Sequence, residues 1–236
     1  MHSKSSLALL YNDQNVLEMH HLALAFNIMS NASYDVFKGW STDEAREARK
    51  LIISCVLATD MDLHQSLQKE LIRRSKRVGA PQQHHSEAFD FLTDDSRSTS
   101  SNPPGGEVPF VLSRREDLTV LFRCVLHAAD VANPTRPFKV SARISMGAIT
   151  EFQQQTEDEK DAGLPVTSYM VLSTFEDKAK GELYFATGIA RPYFAALKAC
   201  FPASARWDPL SAIDANAACW REQATLPGLR LPPDDE

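Results

Sequence analysis

The sequence predicts an all-α protein, a compact multi-helix array without a sheet, and three observations lead there. Apolar residues recur at helical spacing over long stretches. Two Ser-x-x-Glu strings stand just ahead of such stretches, where a helix start would place a capping box. No run of Val, Ile and Thr alternates with polar residues as a half-buried strand would.

Taken in order, Val16 to Met29 carries apolar residues over a broad face, which predicts a helix largely buried against others until Asn31 and Ser33 break it. Ser41-Thr42-Asp43-Glu44 predicts the start of a helix running to about Arg74, with Leu51 to Leu63 apolar nearly all round and therefore expected inside. From about 75 to 112 the periodicity disappears into Ser, Pro, Gly, Gln and Asp, including SRSTSSNPPGG, which predicts an irregular insert. His84 and His85 lie in it with no further ligand at metal spacing and receive no role. Ser113-Arg114-Arg115-Glu116 is the second capping-box candidate, and its helix runs through DLTVLFRCVLHAAD until Asn133-Pro134 stops it. A helix from about Val140 to Lys160, a loop at 163–168, and one or two helices from Tyr169 to Ala199 with a break near Pro192 follow. One domain over 1–225 and a frayed tail over 226–236 complete the organisation.

A chain of 236 residues, 43% hydrophobic and 24% charged, can bury one sizeable core. Its net charge of -6 argues against nucleic acid or an anionic membrane surface as a partner, since both need a basic face. An anionic small substrate stays open, because a divalent metal can reverse the field inside a pocket. No apolar run reaches the roughly 20 residues of a membrane span, and MHSKSSLALLYNDQ lacks the apolar core of a signal peptide, so a cytoplasmic location is expected. Cys55, Cys124, Cys200 and Cys219 are too widely spaced for a zinc site and read as reduced thiols.

Two carboxylates end apolar helical runs with no Lys or Arg beside them: Asp60 after LIISCVLAT, and Asp130 after LFRCVLHAA. An unpaired buried carboxylate is costly, so each either meets a metal, a cation or several donors, or caps a neighbouring helix or turns outward. His127, one turn before Asp130, is either a hydrogen-bonded core residue or a ligand.

The ordered strings YNDQNVLEMHHLALAF (11–26), VLATDMDLH (56–64), LHAADVANPTRPF (126–138) and EFQQQTEDEKDAGLPV (151–166) resemble the class I, eukaryotic-type 3′,5′-cyclic-nucleotide phosphodiesterases. The resemblance covers nearly the whole chain outside the insert and the tail, and weakens after Tyr169. It implies an all-helical hydrolase in which two divalent metals, zinc and magnesium, hold a hydroxide that attacks the cyclic phosphate of cAMP or cGMP. Position by position, Asp130 matches the metal ligand of the family's A-D-x-x-N-P motif and Asn133 a residue that contacts the nucleotide. Glu18, with His20 and His21, matches E-N-H-H with Met19 in place of Asn, and that glutamate supports metal-bound water. Thr59, Asp60 and Met61 match T-D-M, in which the first two face metal-bound waters and the methionine lines the pocket. Phe185 matches the phenylalanine that clamps the purine, and Phe152 a pocket wall.

The departures carry their own expectations. The family's H-N-x-x-H and H-D-x-x-H motifs lie upstream of Y-N-D, which begins here at Tyr11, so the resemblance leaves Asp130 as one direct ligand out of four and no general-acid histidine. The chain alone is therefore expected to hold its metals incompletely and to be inactive, and a catalytically dead helical binding module, or an HD-type phosphohydrolase sharing only the helical core, are the alternatives. Glu182 falls where the family reads the purine edge with glutamine, and a carboxylate accepts where an amide both donates and accepts. Its other reading is a solvated helix residue.

Overall fold

In the computed structural model the chain is described over residues 5–77, 108–202 and 207–231, and these residues form helices joined by turns, with no strand among them. Most of the insert expected over 75–112, including His84 and His85, lies outside the described residues.

The first turn of chain explains how the N-terminal helices meet. Ser5 caps α1 (Ser6–Leu10) by accepting from the Ala8 N–H at 3.2 Å. The link to α2 (Val16–Met29) places Asn12, Asp13 and Asn15 at φ of 53°, 59° and 41°, a left-handed conformation that Asn and Asp adopt more readily than other side-chain-bearing residues. The expectation that α2 is largely buried is corrected. Only Leu22 is buried, whereas Leu17, Met19, Leu24 and Ile28 are exposed, because α2 packs chiefly on α1 and α3, which cover one side of it.

The Ser41–Glu44 capping box forms at the head of α3 (Thr42–Leu57), with both reciprocal bonds present. The helix expected to reach Arg74 stops at Leu57. Thr59 turns its hydroxyl back to the Val56 carbonyl at 2.7 Å, and Asp60 accepts from the Asp62 N–H at 2.9 Å, so two short polar side chains capture local backbone groups and break the helix. A 3₁₀ turn (Met61–Leu63) restarts it as α4 (His64–Ser75). Within 51–63 only Cys55 and Ala58 are buried, so that stretch lies at the edge of the core rather than inside it.

The second capping box does not form. Arg114 holds the N-cap of α5 (Arg115–Asp130) without a side-chain bond, and Asp117 anchors the helix start instead, accepting from the Val111 N–H at 2.9 Å and from Arg74 at 2.6 Å. Arg74 also bonds the Pro109 carbonyl and Glu70 and lies over the Phe110 ring, so this buried cation joins α4 to the start of α5.

After a 3₁₀ turn at Asn133–Thr135, α6 (Phe138–Asp161) runs nearly over the range the sequence predicts. A Thr174–Asp177 capping box opens α7 (Phe175–Tyr184). The break expected near Pro192 is a π-helical turn (Phe185–Ala190) that passes into α8 (Arg191–Cys200), so the chain stays helical through the proline. The last helix, α9 (Pro209–Gln223), buries Ile213, Ala217 and Trp220. The core lies where α4, α5, α8 and α9 meet, around Leu67, Leu71, Cys124, Tyr193, Phe194 and Leu197. Within the tail expected to fray, Gln223 and Arg230 exchange two hydrogen bonds, and Leu229 and Leu231 pack near Trp220; residues 232–236 lie outside the described residues.

Candidate active site

Asp60 sits in the turn between α3 and the 3₁₀ segment, half-buried, with both oxygens occupied. Oδ1 takes the Asp62 N–H, and Oδ2 takes the Asn15 side-chain amide at 2.6 Å. Asn15 occupies the N-cap of α2 in its left-handed conformation, and its side chain makes no bond to that helix, which frees it to cross to Asp60. Glu18 follows in the first turn of α2, half-buried. Thr59 spends its hydroxyl hydrogen on Val56, and Met61 is 48% exposed on the adjoining 3₁₀ turn.

Asp130 is the last residue of α5 and is exposed. The two alternatives for an unpaired carboxylate are thus both realised: Asp60 caps the turn that follows it, and Asp130 turns outward. His127 is a hydrogen-bonded core residue rather than a ligand. It is fully buried, its Nδ1 donates to the Ala58 carbonyl at 2.8 Å, and its Nε2 lies 2.9 Å from His64 Nδ1. Burial holds both rings below the ordinary histidine range; for His127 the Ala58 bond and the Asp130 charge oppose that shift without reversing it. The turn bearing Asp60 and the helix end bearing Asp130 are joined through this contact.

A second cluster forms where α6 and α7 approach the Asn133 turn. The Asn133 amide donates to the Ser141 carbonyl at 3.2 Å and to Ser145 Oγ at 3.0 Å, and Ser145 donates onward to Glu182 Oε2 at 2.5 Å. Ser145 thus accepts from the amide and donates to the carboxyl oxygen, using both of its hydrogen-bonding roles. Asn133 Oδ1 is buried and meets no partner among the described residues. Burial pushes the Glu182 carboxyl above the usual range and the Ser145 bond only partly offsets it, with no cation contributing. Glu182 is therefore not the solvated residue of its other reading. Phe185, one turn further on, begins the π-helical segment and packs half-buried against the core, while Phe152 on α6 meets the edge of Tyr169 with centroids 6.4 Å apart.

Asn15, His64 and Ser145 are the polar residues that sequence reasoning did not single out. The YNDQN string held a signal for the first, since a cluster of Asn and Asp marks a left-handed turn whose side chains reach outward. Ser145, one serine on a long helix, gave none.

Among the described residues no group of three or more His, Cys, Asp and Glu is arranged to hold a metal. Asp130 stands apart from other ligating side chains and Asp60 has both oxygens engaged, so these residues by themselves do not fit the two-metal centre that the resemblance implies. The buried thiols offer no alternative nucleophile, because burial pushes Cys124 up to about 11 and Cys200 up to about 12. No helix among the described residues is long and apolar enough to cross a membrane.

Comparison with known proteins agrees with this helical architecture. The family model for 3′5′-cyclic nucleotide phosphodiesterases matches residues 1–207. A probable 3′,5′-cyclic-AMP phosphodiesterase, pde-4 of Caenorhabditis elegans, is 29% identical over 167 residues, which is 71% of this chain and 21% of the relative. The 3′,5′-cyclic-AMP phosphodiesterase 4C of Mus musculus is 28% identical over 192 residues, 81% of this chain and 24% of the relative. The crystal structure of the phosphodiesterase domain of the RhoPDE fusion protein from the choanoflagellate Salpingoeca rosetta superposes with a TM-score of 0.77 at 30% identity, covering 95% of this chain and 61% of that one. The chain belongs to the 3′,5′-cyclic nucleotide phosphodiesterase family. It spans less than a quarter of the length of these two curated relatives.

Proposed function

We propose that the catalytic domain of which this chain forms part hydrolyses a 3′,5′-cyclic nucleotide to the 5′-monophosphate. Asp130 contributes one metal-binding carboxylate, and Glu18, Thr59 and Asp60 are assigned to the support of metal-bound water. Asn133, Glu182, Phe185, Met61 and Phe152 hold the nucleotide. The observation that carries this reading is the hydrogen-bonded chain Asn133–Ser145–Glu182, which draws the Asn of the N-P motif to the residue one turn before Phe185 although 49 positions separate Asn133 from Glu182 in sequence. The Asn133 side-chain carbonyl beside it is buried and meets no partner among the described residues, so an acceptor is left over at this point. The curated relatives named above are cyclic-AMP phosphodiesterases, which supports a cyclic nucleotide as substrate. Zinc and magnesium are the metals that the family resemblance suggests, and the described residues need ligands from elsewhere to retain them.

The test is a chimera that places the N-terminal part of the solved choanoflagellate domain ahead of this chain, assayed against cyclic AMP, cyclic GMP and a linear phosphodiester. Turnover of a cyclic nucleotide that falls about a hundredfold or more in Asp130→Ala is expected. A folded chimera that binds a cyclic nucleotide without turnover would instead make the chain a binding module, and preference for the linear ester would refute the substrate class.

A further inference from the structure

The buried pair His64–His127 has no part in the reaction as drawn so far. We propose that His127 is a positioning residue: its Nδ1–H holds the Ala58 carbonyl, and with it the Thr59–Asp60 turn, against the helix end that carries Asp130. The inference rests on the phosphodiesterase reading only for the importance of keeping Asp60 and Asp130 in register.

The geometry determines the hydrogens. A carbonyl only accepts, so the 2.8 Å contact with Ala58 requires the hydrogen of His127 on Nδ1. A neutral ring then presents a lone pair at Nε2, which faces His64 Nδ1 at 2.9 Å, while the His64 ring also meets the Ile189 backbone, so two acceptors compete for the hydrogen of His64. The hydrogen of His127 has one destination. Ala58 is the C-cap of α3, fully buried, and its carbonyl is one of the orphan acceptors that every helix end leaves. Neither ring is free to turn away. Both lie 5.1 Å from the Tyr193 centroid, and Tyr193 is itself bonded to the Cys124 carbonyl at 3.0 Å, so α8 clamps the pair onto α5. Ala58 precedes Asp60 by two residues and His127 precedes Asp130 by one helical turn, so the bond ties two carboxylate-bearing segments that are remote in sequence.

Long-range proton–nitrogen spectra of the full chain labelled in its histidines test the tautomers directly. His127 is expected with its hydrogen on Nδ1, and finding it with its hydrogen on Nε2 would overturn the proposal. Two variants test the positioning. His127→Phe keeps an aromatic ring against Tyr193 and removes the donor, whereas His127→Asn puts an amide nitrogen where Nδ1 was. Hydrogen exchange is read at Thr59 and Leu63, whose N–H groups close the turn onto the Val56 and Asp60 carbonyls. Exchange there is expected to quicken about tenfold or more in the Phe variant, with α9 unchanged, and to return most of the way in the Asn variant. Equal loosening in both variants, or no change in the Phe variant, would show that packing alone sets the turn. Should the Phe variant fail to fold, the wild-type tautomers and the Asn variant still decide. Failure of the chimera to hydrolyse a cyclic nucleotide would sink the functional reading while leaving these measurements untouched.

Discussion

Glu182 is the residue whose chemistry departs furthest from its surroundings. A half-buried carboxyl bonded to one hydroxyl, with no cation contributing, holds its proton to higher pH than a free glutamate. Its folded-state pKa is raised, so the stability of the native state is fully present below the unfolded pKa and declines as pH rises through the folded one. Glutamine offers the same acceptor to Ser145 and has no charge to bury. Glu182→Gln is therefore expected to melt higher than the wild type at pH 7.5, by on the order of 1 kcal/mol, with the gap closing toward pH 4.5. Thermal unfolding of both proteins across that range checks the sign; a gap that is constant or widens toward acid is inconsistent with a half-buried, raised carboxyl. The same group bears on base choice. Since Oε2 is committed to Ser145, one oxygen remains for the ligand. Ionised, it accepts from guanine N1–H and the 2-amino group but opposes adenine N1; neutral, it can donate to adenine N1. In the chimera, the ratio of kcat/KM for cyclic GMP over cyclic AMP is expected to rise roughly tenfold or more from pH 6 to pH 8.5 and to lose this dependence in Glu182→Gln. A ratio that ignores pH in both proteins would mean that Glu182 does not read the base.

At the scale of elements, the helices were legible where caps and periodicity agree and illegible where tertiary bonds override them. Ser41 and Glu44 read correctly because both halves of a capping box are local. Ser113 and Glu116 have the same spacing, yet Asp117 outcompetes them by finding Arg74 and the Val111 N–H, neither of which is visible from within the string. The Thr59–Asp60 break was hidden for a related reason, since the apolar pattern continues across it while two side chains capture the backbone. Asp130, Asn133 and Glu182 were singled out from motif strings, but Ser145, which joins two of them, sits among unremarkable helix positions. The Arg74–Asp117 pair has a measurable consequence. Removing one partner leaves a buried charge uncompensated, so Asp117→Ala is expected to destabilise the chain by about 3 kcal/mol or more in denaturant titration. Burial opposes the Asp117 charge, but the Val111 and Arg74 bonds outweigh it and hold the carboxyl below the usual range, so this stability is present at neutral pH and fades in acid as the native carboxylate protonates. A loss under about 1 kcal/mol would mean that water reaches Arg74 and that the pair behaves as a surface contact.

Over the whole molecule the surface is less finished than the core. Leu17, Leu24 and Ile28 lie within about 40° of one line along α2 by helical spacing, and all are about half exposed or more, at 59%, 50% and 49%. Leu9 and Leu10 on α1 stand open beside the turn that leads into α2, and Phe122, Val125 and Leu126 repeat the pattern at i, i+3, i+4 on α5. Scattered exposed leucines are ordinary, but aligned rows on separate helices form patches of the kind that seek a partner. Full burial of one such side chain is worth roughly 1.5–3 kcal/mol, so a few on each face suffice to hold a complex at micromolar concentration against the entropy of association. The chain accounts for 61% of the solved phosphodiesterase domain it superposes on, and helices from outside the described residues are suited to these rows. The isolated chain is accordingly expected to self-associate reversibly in sedimentation velocity at about 10 μM and to bind an environment-sensitive dye. Ile28→Lys with Leu24→Lys should shift it toward monomer with helix content unchanged, since neither side chain is buried in the core. The chimera, which adds helices of the solved domain ahead of this chain, should lose both dye binding and self-association. A wild-type chain that stays monomeric and dye-free at that concentration would show that the rows are already covered, within this polypeptide, by residues outside those described.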